Sequence, residues 1–381
     1  MHAPIKPDVT ARLHDLRIDL VRGIANWSIL VDHIPHNAVN LLTLRNFGFA
    51  GATDLFVFVG GYAAALLYGQ MADERGFVVT ATRIIKRVWQ LYAAYIVLFV
   101  IYVDIIGQVA AQYAVPDIID EYNVTGIVDH PVRVLAHGLM LQARPLNLDT
   151  LQLVIPLLAA LPLILASMLR WPKLTLGASL ALYLAARQFD LYLASFPEGR
   201  WYFNPFCWQL LFVLGAWFAV DGGRQVRAMQ QSSLLRQLAL AYLLFALLIT
   251  AAGKIPQLAS LIPDVVLNPF TPNDKENLAP YRILHLLALA FVFTWYVPRD
   301  WQGLGAKLLQ PVVKCGEEWL ACFCAGVFLA FAGHLALITG PNSIAMQVLV
   351  SAACVALMTL VGYYVSWSRH QDGRPALGAQ A

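Results

Sequence analysis

The chain has 381 residues, a formal net charge of +3, 59% hydrophobic residues and only 13% charged ones. Soluble domains carry about twice that charged share, so the composition excludes an ordinary soluble fold and indicates a polytopic membrane protein surrounded by lipid. The Lys and Arg residues sit in short loops and form no basic face, which argues against a nucleic-acid partner.

About 20 apolar residues span a bilayer core as a helix. On that measure the sequence predicts an all-α membrane bundle of about ten transmembrane helices, at 17–36, 47–69, 89–111, 149–169, 174–190, 204–221, 234–252, 280–297, 318–338 and 344–367. The runs 151–169 and 344–368 contain no charged residue, and 321–343 contains only His334. With no internal repeat and no composition shift, residues 1–381 read as one membrane domain. The first apolar stretch lacks a small-residue cleavage site, so it is expected to stay as the first helix. A basic amphipathic stretch, FVVTATRIIKRVWQ (77–90), precedes the third span and is expected at the membrane surface. The long loops are 112–148 and 253–279, and the first holds an apolar piece, VRVLAHGLMLQ (132–142), that suggests a short re-entrant or interfacial helix. All five cysteines fall in or beside apolar runs without metal-ligand spacing and are expected to be reduced. With both termini on the cytoplasmic side, Lys and Arg favour the inner segments by about two to one, as the positive-inside rule asks.

The first predicted span, RIDLVRGIANWSILVDHIPHN (17–37), carries charges that are costly in lipid. Arg22 and His33 are eleven residues apart, close to three turns, and so share a face roughly 16 Å apart. Asp19 and Asn26 lie on the same stripe. Such a stripe must face protein or a watery cavity. Pro35 ends or kinks the helix and leaves His33 near the outer membrane face. The same topology puts Arg45 in the outer loop before the second span, Asp54 a turn or two below it, and Asn204 and Gln209 high on the sixth. Arg282 and His285 fall high on the eighth, just after Lys275, Glu276 and Asn277, and His334 lies at the outer end of the ninth. Polar groups from five helices thus converge in the outer half of the membrane, as a cavity open to the outside requires. The structural alternatives are a packed or helix-end histidine at His33 or His334, and snorkelling cations at Arg45, Lys275 and Arg282. His33, His36 and Asp32 around a proline are a poor ligand frame, so no metal is expected.

Several stretches resemble known proteins. DLVRGIANWSILVDH resembles the first-helix signature of the acyltransferase-3 superfamily, an Arg, ten residues and a His, here Arg22 and His33. More narrowly, RIDLVRGIA with DHIP, TLRNFGFAGATDLFVFVGGYAAALLYG, FNPFCWQLLFVLGAW, KENLAPYRILHLLALAF and GVFLAFAGHLAL resemble the family of the osmoregulated periplasmic glucan succinyltransferase, in order from residue 17 to about 337. The resemblance implies a multi-pass protein of the bacterial inner membrane. It also implies transfer of an acyl group, succinyl above all, from an acyl-CoA-type donor to a periplasmic glucan or other extracytoplasmic carbohydrate. No tightly bound cofactor is implied.

His33 matches the family's catalytic histidine and Arg22 its paired arginine. A neutral imidazole takes a hydroxyl proton near pH 7, with Asp32 or Asp54 as the group that orients it. Arg22 is placed to hold a phosphate or the far carboxylate of a succinyl donor. Arg45 and Arg282 are candidates for carboxylate or oxyanion stabilisation, and the donor arm is expected to thread the bundle up to His33. A transporter or flippase for a glycan or organic anion is the competing class. Such folds show paired, broken-helix repeats, which are not found in this sequence. A scaffold without chemistry leaves the polar convergence unexplained.

Overall fold

The computed structural model describes residues 15–113, 117–124, 130–341 and 343–371, and these are helical, with pairing of extended segments confined to two isolated bridges. The chain ends counted in the orientation argument, 1–14 and 372–381, lie outside the described residues.

Helix α1 (Leu16–Asp32) starts at Asp15, whose carboxylate accepts from the Arg17 amide and pairs with Arg299. It stops at His33 because the residue before Pro35 is driven out of the helical region. After two 3-10 turns come α2 (Ala52–Arg75) and α3 (Phe77–Tyr113). The basic stretch 77–90 therefore forms one continuous 37-residue helix with the third span, about 55 Å long. Two short helices follow, α4 (Asp117–Glu121) and α5 (Pro131–Leu139), the second being the predicted apolar piece of the long loop. Next are α6 (Asp149–Arg170), α7 (Pro172–Gln188) and α8 (Pro205–Trp217), and a π-helical turn at Phe218–Gly222 carries α8 into α9 (Gly223–Gln230). The rest of the bundle is α10 (Ser233–Ala252), α11 (Pro280–Tyr296), α12 (Gln310–Glu317), α13 (Trp319–Thr339) and α14 (Ile344–Gln371).

Among the described residues seven helices are long and apolar enough to cross a membrane: α2, α3, α6, α8 with its π turn, α10, α13 and α14. The other three predicted spans correspond to α1, α7 and α11. Each has 17 residues, about 25 Å of helix, which is short for a bilayer core of about 30 Å.

Helix α1 packs against α2, α12, α13 and α14. It is buried nearly all round, so Leu20 and Val31, on the side away from the polar stripe, face protein as well. Its tightest neighbour is α12, because each helix offers a glycine to the other's backbone. A Cβ on Gly23 would lie 1.9 Å from the Val312 carbonyl oxygen, and one on Gly316 would lie 1.7 Å from that of Asp19. The same reciprocity joins α2 to α8, with Gly61 against Phe212 and Gly215 against Phe58. Small residues are what let membrane helices approach this closely. The lipid-facing periphery includes α10, with Leu234, Leu238, Leu244 and Leu248 exposed. All five cysteines are free.

Adjacent glycines on α2 give a stability test. A Cβ on Gly61 would sit 2.0 Å from the Phe212 carbonyl oxygen, whereas Gly60 has nothing within 4 Å. Gly61→Ala is expected to destabilise by about 1–3 kcal/mol, and Gly60→Ala to be neutral or stabilising by up to about 1 kcal/mol. Thermal unfolding of the two detergent-purified variants checks this. Equal effects would contradict the α2–α8 contact.

Candidate functional site

The polar groups fall into two levels along α1. At the His33 end, Asp32 pairs with Arg45 Nε at 3.1 Å and accepts from the Thr43 hydroxyl. Asp54, in the first turn of α2, pairs with Arg282 of α11 at 2.6 Å, with side-chain exposures of 0% and 3%. The Asp54 carboxylate also accepts from the Gly51 amide at 2.9 Å, and Arg282 donates to Asn273 at 2.9 Å. Lys275 lies within electrostatic reach of Asp32, Arg45, Asp54 and Arg282, and its ammonium stacks over Tyr202 and Phe203. Burial and the Arg282 charge pull it below the ordinary lysine range. His33 lies within reach of Lys275 and Arg45.

The orienting group for His33 differs from the expected one. Its Nδ1 lies 2.6 Å from the Ile29 carbonyl oxygen, one turn back on α1. A carbonyl only accepts, so Nδ1 carries the proton and a neutral ring keeps its lone pair on Nε2. Asp32 and Asp54 are instead engaged by Arg45 and Arg282. The carboxylates neutralise cations, and the backbone fixes the tautomer.

Part of the predicted set is scaffold for this level. Asn204 caps α8 and donates to the Asn277 side chain at 2.9 Å, and its amide donates to the Glu276 carbonyl at 3.0 Å. Trp208 Nε1 donates to the carbonyls of Lys275 and Glu276. These bonds pin the loop that carries Lys275. The Glu276 side chain is exposed. His285 accepts from the Ala50 amide at 3.3 Å and packs on Gly48, so it braces the approach to α2. Gln209 bonds Ser179 of α7 in both directions and serves the α7–α8 contact. His334 belongs to a different group, with Tyr122, Glu121 and His36.

The second level surrounds Arg22, which is 4% exposed and lies within reach of Asp19 and of Arg87 from α3. Arg87 is 5% exposed and stacks over Trp319. Each arginine has a buried N–H without a hydrogen-bond acceptor among the described residues, Arg22 Nη1 and Arg87 Nη2. Two buried guanidiniums with free donors make a receptor for an anion. Asn26 donates to the carbonyls of Cys315 and Trp319, where α12 gives way to α13. A small, mostly apolar cavity lies against α1 beside His33, lined by Asn26, Ile29, Leu30 and His33 of α1 and by Phe323 and Val327 of α13.

Sequence reasoning missed Arg87, Asn147 and Asp149. Arg87 belongs to the basic stretch expected at the membrane surface, yet it stands three residues after Ile84 and four before Leu91, both fully buried, so it shares their face. Asn147 also lines the cavity, and its Nδ2 bonds Tyr102. Asp149 lies within reach of Lys275. Nothing in the local sequence marks either residue.

The Asp54–Arg282 pair carries a stability prediction. Asp54→Asn leaves a buried guanidinium unpaired and is expected to cost about 3–5 kcal/mol, whereas Asp54→Leu combined with Arg282→Met should recover most of that loss. Thermal unfolding of single and double variants distinguishes a coupled pair from independent sites, which would give additive losses.

No curated protein matches the chain, and no solved structure does. One family profile, described as OpgC protein, matches residues 14–370. The match takes in both levels of polar groups and nearly the whole chain, and the protein therefore belongs to the OpgC family.

Proposed function

We propose that this protein is a membrane O-acyltransferase that moves an acyl group, succinyl above all, from an acyl-CoA donor to a hydroxyl of a periplasmic glucan or another extracytoplasmic carbohydrate. In this reading it is a multi-pass protein of the bacterial inner membrane with cytoplasmic N- and C-termini. The His33 end then faces the periplasm and the Arg22 level lies nearer the cytoplasm. OpgC family membership supports the reaction class. The observation that carries the mechanism is the bond from His33 Nδ1 to the Ile29 carbonyl, which leaves Nε2 as the acceptor of a proton.

The chemistry follows from the groups present. Nε2 takes the proton of the acceptor hydroxyl as that oxygen bonds to the thioester carbonyl carbon. The carbonyl oxygen becomes an oxyanion, and Lys275 and Arg45, the cations within electrostatic reach of His33, offset its charge. On collapse the carbon–sulfur bond breaks, and the imidazolium returns its proton to the leaving thiolate. The ester and the free thiol are released. Arg22 and Arg87 hold donor phosphate. The pantetheine arm runs along α1 from the Arg22 level to His33, so the roughly 16 Å between these residues separates donor binding from transfer.

This division of roles is testable on purified protein with succinyl-CoA. Arg22→Ala and Arg87→Ala are expected to weaken donor binding at least about tenfold. His33→Ala should bind donor as wild type does while losing transfer to added glucan, by at least about a hundredfold. Isothermal titration and a thiol-release assay read the two quantities. Equal loss of donor binding in all three variants would overturn the assignment.

A further inference from the structure

Outside the groups used above, three side chains from distant parts of the chain meet beside the His33 end. His36 follows Pro35, Glu121 ends α4, and His334 lies near the end of α13. Glu121 Oε1 is 3.6 Å from His36 Nε2 and 3.7 Å from His334 Nε2, and the three atoms all lie within 4.8 Å of one another. The two imidazole rings face each other at 5.9 Å between centroids.

The state of His334 points to a ligand. The residue is 1% exposed, its Nδ1 is bonded to the Tyr122 hydroxyl at 3.0 Å, and its Nε2 has no hydrogen-bond partner among the described residues. A buried ring nitrogen without a partner is costly. Here it faces a carboxylate that also faces a second imidazole. Two imidazoles and one carboxylate are a donor set for zinc-class ions, with bonds of about 2.0–2.2 Å. Tetrahedral bonds of that length put ligand atoms about 3.3–3.5 Å apart, a few tenths of an ångström inside the two measured separations. Tyr122 supplies the outer hydrogen bond that orients a metal-binding histidine. His36 is largely exposed, at 69% of its side chain, which gives an ion a path in and leaves a fourth position open.

We propose that His36, Glu121 and His334 form a binding site for a divalent transition-metal ion of the zinc class. The ion would tie the segment after α1 and the 112–148 loop to α13. The site shares no residue with the proposed acyl transfer, and its test does not depend on that reaction.

The test uses full-length protein in detergent, stripped with chelator and titrated with zinc chloride or cobalt chloride. The wild type is expected to bind one equivalent per chain, to raise its unfolding midpoint with zinc, and to give the visible absorption of a four-coordinate cobalt site. Glu121→Gln and His36→Ala replace accessible side chains and should keep the metal-free unfolding midpoint while weakening binding at least about tenfold. His370→Ala, at an exposed histidine outside the set, should bind as wild type does. No saturable binding by the wild type, or undiminished binding by Glu121→Gln, would overturn the proposal.

Discussion

A guanidinium inside an apolar bundle must be enclosed by protein, because the surrounding lipid offers it no partner. Arg22 imposes that condition on the first helix, which α2, α12, α13 and α14 surround. The enclosure depends on Gly23 and Gly316, where α1 and α12 touch backbone to backbone. The helix most burdened with charge is therefore the one at the centre. Its position puts the face carrying Arg22, Asn26 and His33 against the other helices.

The same electrostatic demand organises the His33 end differently. There the cations outnumber what one carboxylate can satisfy, and each acid is committed to a particular base, Asp32 to Arg45 and Asp54 to Arg282. Lys275 is left over the faces of Tyr202 and Phe203. With both acids engaged, the tautomer of His33 is set by its own helix through Ile29. In the proposed mechanism this separates the proton acceptor from the groups that balance charge. The Arg22–Arg87 level supplies a second set of buried N–H donors without acceptors among the described residues, and a small cavity beside His33 lies between the two levels along α1.

Much of this was legible because helical periodicity is strict. Arg22, Asn26 and His33 fall on one stripe by spacing alone, and the apolar runs marked the membrane helices. The end of α1 was less legible: apolar residues continue to Ile34, but the helix stops at Asp32, ahead of Pro35. Pairings between distant segments were not legible at all. Asp32 and Asp54 were equal candidates to orient His33 until the loops around Thr43 and Asn273 brought an arginine to each. Gln209 looked like a site residue because it is polar in an apolar run, yet its partner is Ser179 on the neighbouring helix. Arg87 was hidden by the basic residues around it, although its spacing from Ile84 and Leu91 already put it on the buried face.

The central proposal is that the protein transfers an acyl group to a periplasmic glucan with His33 as the base. Mass spectrometry of periplasmic glucans from cells lacking this protein tests it most directly, with complementation by wild type or His33→Ala at matched membrane levels. The account predicts a mass increment equal to one or more acyl groups with wild type and none with His33→Ala, and the size of the increment names the acyl group. An increment that persists in His33→Ala would remove the catalytic base. Absence of any increment with wild type would contradict the glucan as acceptor.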